Sequence, residues 1–298
     1  MEFARATARF GRDLFQRGST SKPLVKPISN PGVRFASLGR CIWCWPPDKG
    51  NPPHGEEHII PRSFGGNLVI AKASCAQCER RINKFETSCL NGMVGAARYH
   101  MGIDSLGRKR RNFAPVLFKV GERLTSVSVA LKEHPAALVL PVMGPAGIML
   151  GLPLTALPSP AQISVCIAPV TPDFHRRVQA FRHADNIHLN KPLDAVSCYR
   201  LIAKIAHAYL CAIIGLNNFV PTLLHVVNLK GALFANYWIG SFINPSLGPY
   251  SSLHEIALEP SIFHGEWEFL VVRVRLFAHL GGLPTYYAVA GRRLIQNG

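Results

Sequence analysis

The chain has 298 residues, of which 48% are hydrophobic and 17% are charged. This composition excludes a disordered or low-complexity protein and suffices for the cores of about two domains. Lys and Arg number 33 against 17 Asp and Glu, a formal net charge of +16, which favours polyanionic partners.

Residues 1–40 are rich in Arg, Lys, Gly, Ser and Pro, with only Glu2 and Asp13 as acidic residues. We interpret this segment as a flexible basic arm, although an Arg-rich, acid-poor targeting peptide has the same composition. No apolar signal core opens the chain, so we expect a cytoplasmic protein with reduced cysteines.

Two Cys-x-x-Cys pairs follow, Cys41-Ile-Trp-Cys44 and Cys75-Ala-Gln-Cys78, separated by 30 residues. Each pair presents two sulfurs to one ion, and two pairs complete the tetrahedral shell that Zn²⁺ prefers. Four protein ligands leave no open position, so the predicted zinc is structural. Disulfides or a redox motif are the alternatives, but the chain lacks a βαβ pattern around either pair.

Between the pairs, Glu56-Glu57-His58-Ile59-Ile60 precedes a Gly-Gly turn and a second apolar run. The pattern predicts a β-hairpin, followed by a helix from Ala73 to about Glu86. A neutral imidazole accepts a proton near pH 7, and a carboxylate suits Mg²⁺ or Mn²⁺. A hydrolytic site is therefore one interpretation of this insert, and a structural histidine beside a zinc knuckle is the other.

The stretch from Cys41 to Cys89 resembles an HNH endonuclease domain of the zinc-containing ββα-metal type. The matching text is C-I-W-C, E-E-H-I-I-P-R-S-F-G-G-N-L and C-A-Q-C-E-R-R-I-N-K-F-E. The resemblance covers about one sixth of the chain, and the combined spacing is more specific than either motif alone. It implies a small treble-clef-like module that hydrolyses phosphodiester bonds with one divalent ion.

The resemblance implies a role for each matching residue. His58 would be the general base, Glu57 the first ligand of the catalytic Mg²⁺ or Mn²⁺, and Asn67 the residue that orients the base. The family usually has Asn or His directly after the last cysteine, where this chain has Glu79. Either Glu79 or Asn83, one helical turn later, would supply the helix ligand.

Basic residues flank this segment and are the predicted contacts to nucleic acid, which we expect to be double-stranded DNA. They are Arg62, Arg80, Arg81, Lys84, Arg108, Lys109, Arg110 and Arg111.

The remaining chain predicts an α+β domain over residues 113–298, after a module over 41–112. Strands are expected at 116–120 and 124–130, and an antiparallel pair at 268–277 and 285–290. A core helix is expected from Pro192 to Leu216, with Lys204 and His207 on a polar face. Residues 134–172 lack Asp, Glu, Lys and Arg, but Pro and Gly interrupt every window long enough to span a membrane. We therefore expect a Pro-rich connection that ends in a strand at 163–168, and no membrane partner.

The sequence thus predicts a metal-dependent HNH-type endonuclease acting on DNA. The alternative is a non-catalytic, zinc-stabilised nucleic-acid-binding protein, in which Glu79 marks a degenerate site. The role of residues 134–298 is open in both.

Overall fold

The computed structural model describes residues 32–44, 52–103, 112–154, 163–182, 186–228, 234–244 and 248–295. The described part is a mixed α+β structure with several sheets and a few helices. Its strands are β1 Val33–Phe35, β2 Gly55–His58, β3 Leu68–Ser74, β4 Phe113–Val120, β5 Arg123–Ala130, β6 Ala137–Val142, β7 Ser164–Pro169, β8 Asn186–His188, β9 Val220–Pro221, β10 Ile239–Ile243, β11 Glu255–Leu258, β12 Ile262–His264, β13 Trp267–Arg275 and β14 Pro284–Leu294. Its α-helices are α1 Ala76–Cys89, α2 Ala97–His100, α3 Phe174–Gln179, α4 Ala195–Ile214, α5 Leu224–Asn228 and α6 Ala235–Trp238.

The predicted hairpin is formed by β2 and β3, which pair antiparallel, while β1 adds to β3 in parallel. A 3-10 turn at Arg62–Phe64 connects the two strands and ends at Gly65, whose φ is 92°. The next glycine, Gly66, lies so close to the chain that a Cβ there would be 2.0 Å from the Ile60 carbonyl oxygen. Both positions therefore require glycine.

Helix α1 follows the hairpin and begins at Ala76, three residues later than the sequence pattern indicated. Strand β3 continues to Ser74, which pairs with Gly55, and Cys75 then takes the N-cap position. The buried face of α1 is spaced by four, three and four residues, as an amphipathic helix requires. It consists of Cys78, Ile82, Phe85 and Cys89.

A π-helical turn at Leu90–Val94 continues α1 directly. It ends at Gly95, whose φ is 50°.

The predicted core helix is present as α4. Asp194 caps its N-terminus by accepting hydrogen bonds from the Val196 and Ser197 backbone N–H groups, at 3.2 and 3.1 Å. Gly215 follows its last turn. The polar face expected at Lys204 and His207 is not exposed, because both side chains have 0% accessible surface. Helix α4 packs against α1, β13 and β14, so elements from both halves of the chain enclose it.

Four sheets are present in the described part of the chain. Besides the hairpin sheet, β5-β4-β8 form a three-stranded sheet and β6-β7 a two-stranded one. The largest sheet has the order β10-β14-β13-β11, with β12 paired to β13 and β9 to β14. The predicted strands at 116–120, 124–130, 268–277 and 285–290 correspond to β4, β5, β13 and β14, and both pairs are antiparallel.

The uncharged segment 134–172 contains a strand that the sequence pattern did not predict. Strand β6, with Pro141 inside it, pairs antiparallel with β7. Among the described residues one helix, α4, is long and apolar enough by composition to cross a membrane, and 72% of its most apolar window is buried inside the protein.

One large hydrophobic cluster of described residues joins the two halves of the chain. It contains Trp43, Ile59 and Phe85 from the segment around the hairpin, together with core residues of α4 and β13. The domain boundary expected at residue 112 stays a prediction. Described residues on both sides of that position share this core.

Candidate functional site

The four cysteines predicted to bind zinc lie together. Their Sγ atoms are all within 4.8 Å of one another, and the Cys44 sulfur lies 3.9 Å from Cys75 and 3.8 Å from Cys78. Zn–S bonds of about 2.3 Å in a tetrahedron place sulfurs about 3.8 Å apart, so the arrangement fits Zn²⁺ closely. Cys41 and Cys44 come from the knuckle before the hairpin, and Cys75 and Cys78 from the start of α1.

The thiols differ in acidity because of their contacts with one another. Hydrogen bonding from Cys78 lowers the pKa of Cys41 to about 5, against the opposing effect of burial and with help from the Cys75 backbone N–H. Burial raises the pKa of Cys44 to about 11. Zinc binds thiolates, so an ion here would displace the remaining protons and couple its binding to pH.

Glu57 lies on the inner face of β2 and is 6% exposed. Its Oε1 pairs with the Lys204 Nζ at 2.7 Å. Its Oε2 accepts hydrogen bonds from the Trp43 indole N–H at 3.0 Å and from the Ser74 hydroxyl. Both oxygens of Glu57 are therefore engaged by buried groups of the protein.

Lys204 reaches into this position from α4 and is surrounded by oxygen atoms. Its Nζ contacts Oε1 of Glu86 at 3.0 Å and the carbonyl oxygens of His58 and Ile59, the latter at 3.2 Å. Burial alone would lower the pKa of Lys204, but Glu57 and Glu86 raise it above its usual value. The ammonium therefore stays charged and offsets part of the negative charge between β2 and α1.

His58 ends strand β2 and is partly exposed. Burial lowers its pKa, helped by the positive charges of Lys204 and Arg62, while Glu57 and the Gly66 backbone act in the opposite direction. Its imidazole is thus neutral at pH 7. Its Nδ1 atom is buried and has no hydrogen-bond partner among the residues that the structure describes.

The other predicted ligands do not converge on His58. Glu79 is exposed and its carboxylate lies beside Gly55, three residues from His58 along an extended strand and hence about 10 Å away. Asn83 is exposed on α1. Asn67 is also exposed and precedes Val69, which is the hairpin partner of His58, by two residues.

The predicted nucleic-acid contacts separate into three groups. Arg62, Arg80 and Lys84 are exposed. Arg81 is partly buried, and its Nη2 contacts the Cys78 sulfur at 3.1 Å, so it faces the cysteine cluster. The four basic residues at 108–111 lie outside the described residues.

These positions decide whether a hard divalent ion fits at Glu57. A ligand set for Mg²⁺ or Mn²⁺ needs several free oxygens around one point. The Glu57 oxygens are instead held by Lys204, Trp43 and Ser74. Within the described ranges, the four cysteines are the one group of three or more His, Cys, Asp or Glu positioned to share an ion. The described arrangement does not fit a hard ion at Glu57.

The Lys204 network was not predicted from the sequence. The signal was a single charged residue inside an otherwise apolar run, Leu201-Ile-Ala-Lys-Ile-Ala206. A lysine that is buried with such a helix is almost always paired, so carboxylate partners are expected for it.

No protein-family model, curated protein or solved structure matches this chain.

Proposed function

We propose that this chain is a zinc-stabilised, HNH-type nuclease of the ββα-metal fold that hydrolyses phosphodiester bonds in DNA. The observation that carries the proposal is the partly exposed imidazole of His58, which ends a hairpin strand and is neutral at pH 7. The strand–strand–helix order and the cysteines at its base support the same assignment.

In this proposal the partly exposed imidazole of His58 accepts a proton from water while the water oxygen bonds to phosphorus. The phosphorus–oxygen bond to the leaving group breaks, and that oxygen takes a proton from solvent. A base whose pKa lies near the working pH contributes roughly 10²- to 10⁴-fold to such a step. The exposed Arg62, whose charge already acts on His58, is placed to attract the phosphate.

The first test is plasmid nicking in Mg²⁺, in Mn²⁺ and in a chelator. We expect the protein to nick, and His58→Ala to lower the rate by about 10²-fold or more because the base is lost. His264→Ala is the matched control, since His264 is exposed on β12, and it should nick like the unmodified protein. No nicking in any condition, or equal nicking by His58→Ala, overturns the proposal.

A second candidate function is non-catalytic binding of nucleic acid, and the Lys204–Glu57 ion pair favours it. A carboxylate held by a buried ammonium is not free to ligate a catalytic ion. Here the cysteines would stabilise a binding surface that includes Arg62, Arg80 and Lys84. Binding without cleavage, unchanged by His58→Ala, would select this candidate.

Both candidates predict salt-sensitive binding to duplex DNA. Each phosphate contact adds about 0.9 to the slope of log affinity against log salt, because counterions are released. We expect Lys84→Met to reduce that slope by about one unit, measured by fluorescence anisotropy from low to physiological salt. Lys132→Met removes one exposed charge far from the hairpin in sequence and should leave the slope unchanged. An affinity that stays flat with salt contradicts the prediction.

A further inference from the structure

A second feature of the molecule lies apart from the cysteines and His58. A cavity of about 160 Å³ opens between the π-helical turn, helix α2, strand β4 and the segment after β8. This volume far exceeds the roughly 10–15 Å³ that one water needs. The cavity is lined by elements that carry none of the groups discussed above.

The lining of this cavity is basic. Arg98, His188 and Lys191 contribute to it, and no Asp or Glu is among the described residues that line it. His188 and Lys191 are exposed, so the imidazole and the ammonium group remain accessible from solvent. The side-chain amides of Asn91 and Asn190 add further polar groups.

Arg98 has an unsatisfied donor in this wall. Its Nη2 donates to the Tyr99 hydroxyl oxygen at 2.6 Å, and its guanidinium carbon lies 4.7 Å from the centre of the Tyr99 ring. Its Nε, in contrast, is buried and has no acceptor within the described part of the chain. A cation with an unsatisfied buried donor is unfavourable, so an anionic ligand in the adjoining cavity is favoured by the charge of this guanidinium.

The cavity walls are held in place by contacts between distant segments. The Asn190 amide donates to the Ala137 carbonyl oxygen at 3.3 Å, and the Lys191 N–H donates to the Asn91 carbonyl oxygen at 3.2 Å. Gly95 has no space for a side chain, since a Cβ there would lie 1.9 Å from the Asn190 Oδ1. The wall is therefore built before any ligand arrives.

We propose that this cavity is a binding site for one phosphoryl group, held by Arg98, Lys191 and His188. Arginine with its planar donors suits phosphate oxygens, the Lys191 ammonium adds a second positive charge, and the His188 ring can donate a hydrogen bond. The proposal does not rest on the proposed nuclease activity.

The test measures binding of inorganic phosphate to the full chain by titration calorimetry. We expect Arg98→Met to weaken binding about tenfold or more, as loss of a charge-assisted hydrogen bond implies. Lys191→Met and His188→Gln change exposed residues that do not endanger folding, and each should weaken binding severalfold. Lys132→Met, the same chemical change at an exposed lysine that does not line the cavity, should leave binding unchanged. No phosphate binding, or equal affinity in the Lys191, His188 and Lys132 variants, overturns the proposal.

A second arm distinguishes the source of the phosphoryl group. It compares a 5′-phosphorylated oligonucleotide with its unphosphorylated twin. Tighter binding of the phosphorylated strand, lost in Lys191→Met, assigns the site to nucleic-acid ends. Phosphate binding without that difference assigns it to free phosphate, and both results support the site. If His58→Ala abolishes nicking but the protein does not bind phosphate, the proposed nuclease function stands and the phosphoryl-binding site is refuted.

Discussion

Lys204 is the residue on which the interior beside β2 depends. Its single charge faces two carboxylates, the buried Glu57 and the partly buried Glu86, with no second cation in contact with them in the described structure. Trp43 and Ser74 complete the hydrogen bonding of Glu57. Removing one member of such a buried network leaves the others uncompensated, which is far more damaging than losing a surface ion pair.

We therefore predict that Lys204→Met destabilises the protein by about 3–5 kcal/mol, as loss of one partner of a buried pair does. Urea unfolding at pH 7 measures the change in the free energy of unfolding. Neutralising the stranded carboxylates in the triple variant Lys204→Met, Glu57→Gln, Glu86→Gln should recover part of it. Lys132→Met, at an exposed position, should stay within about 0.5 kcal/mol. A Lys204→Met protein as stable as the unmodified one would refute this account of the interior.

At the residue scale the sequence predicted that the four cysteines lie together, but it did not predict the partners of Glu57. Cysteine ligands follow a fixed local spacing, so Cys41, Cys44, Cys75 and Cys78 were identifiable from the order of residues alone. The partner of Glu57 is 147 positions away on α4, and no local pattern encodes that distance. The exposed basic residues were identifiable, but only their positions in the fold distinguish Arg81, which faces Cys78, from Lys84.

At the scale of elements, the cysteine cluster joins the knuckle before β2 to the first turn of α1. We predict one Zn²⁺ per chain, and much weaker retention of that ion in Cys75→Ser because one of its four thiolate ligands is removed. Elemental analysis gives the stoichiometry, and thermal melting should show a large decrease for Cys75→Ser or after chelation. Cys166→Ser, in strand β7 and away from the cluster, should retain both zinc and melting temperature. Equal zinc loss in the two variants would contradict the assignment.

The sequence predicted those helices and strands whose ends are marked by capping or turn residues. Helix α4 has Asp194 at its start and Gly215 at its end, and the β13–β14 pair has a Gly-Gly-Leu-Pro connection. Strand β6 was missed because Pro141 interrupts the pattern. The strand tolerates a proline because the sheet has only two described strands, so one edge needs no partner.

At the scale of the whole molecule, His254 connects the two halves of the chain. Its Nε2 donates to the Phe64 carbonyl oxygen at 2.9 Å, beside the hairpin turn. Its Nδ1 accepts from the Phe277 N–H at 3.1 Å, after strand β13. A neutral imidazole satisfies both bonds, whereas a protonated ring loses the second. Burial lowers the pKa of His254 to about 4.

This arrangement predicts a loss of stability in mild acid. In the unfolded chain His254 takes up a proton near pH 6.5, whereas in the folded chain its ring stays neutral until the pH falls to about 4. The contribution of His254 is thus complete above pH 6.5 and is lost as the pH falls toward 4, by roughly 1–3 kcal/mol. Melting curves between pH 7 and pH 4 should be less pH-dependent for His254→Asn than for the unmodified protein. His264→Asn, changed at an exposed histidine, should retain the full dependence. An unaltered slope in His254→Asn would argue against a neutral bridging ring.

The sequence did not predict how the two halves of the chain pack against each other. Composition predicts a substantial core, but not that Trp43, Ile59 and Phe85 share it with α4 and β13. Such contacts depend on packing between segments separated by more than a hundred residues, which a periodic pattern along the chain does not report.

The position of Lys204 in the chain also sets an order of events during synthesis. Glu57 leaves the ribosome 147 residues before the lysine that neutralises it, a delay of roughly 7–30 seconds at ordinary elongation rates. The Trp43 carbonyl oxygen gains its partner later still, because it accepts a hydrogen bond from the side-chain amide of Asn228 on α5. Throughout that interval the nascent hairpin holds an acidic side chain that must stay hydrated. The hairpin therefore emerges early but reaches its final form only after α4 and α5 have been synthesised.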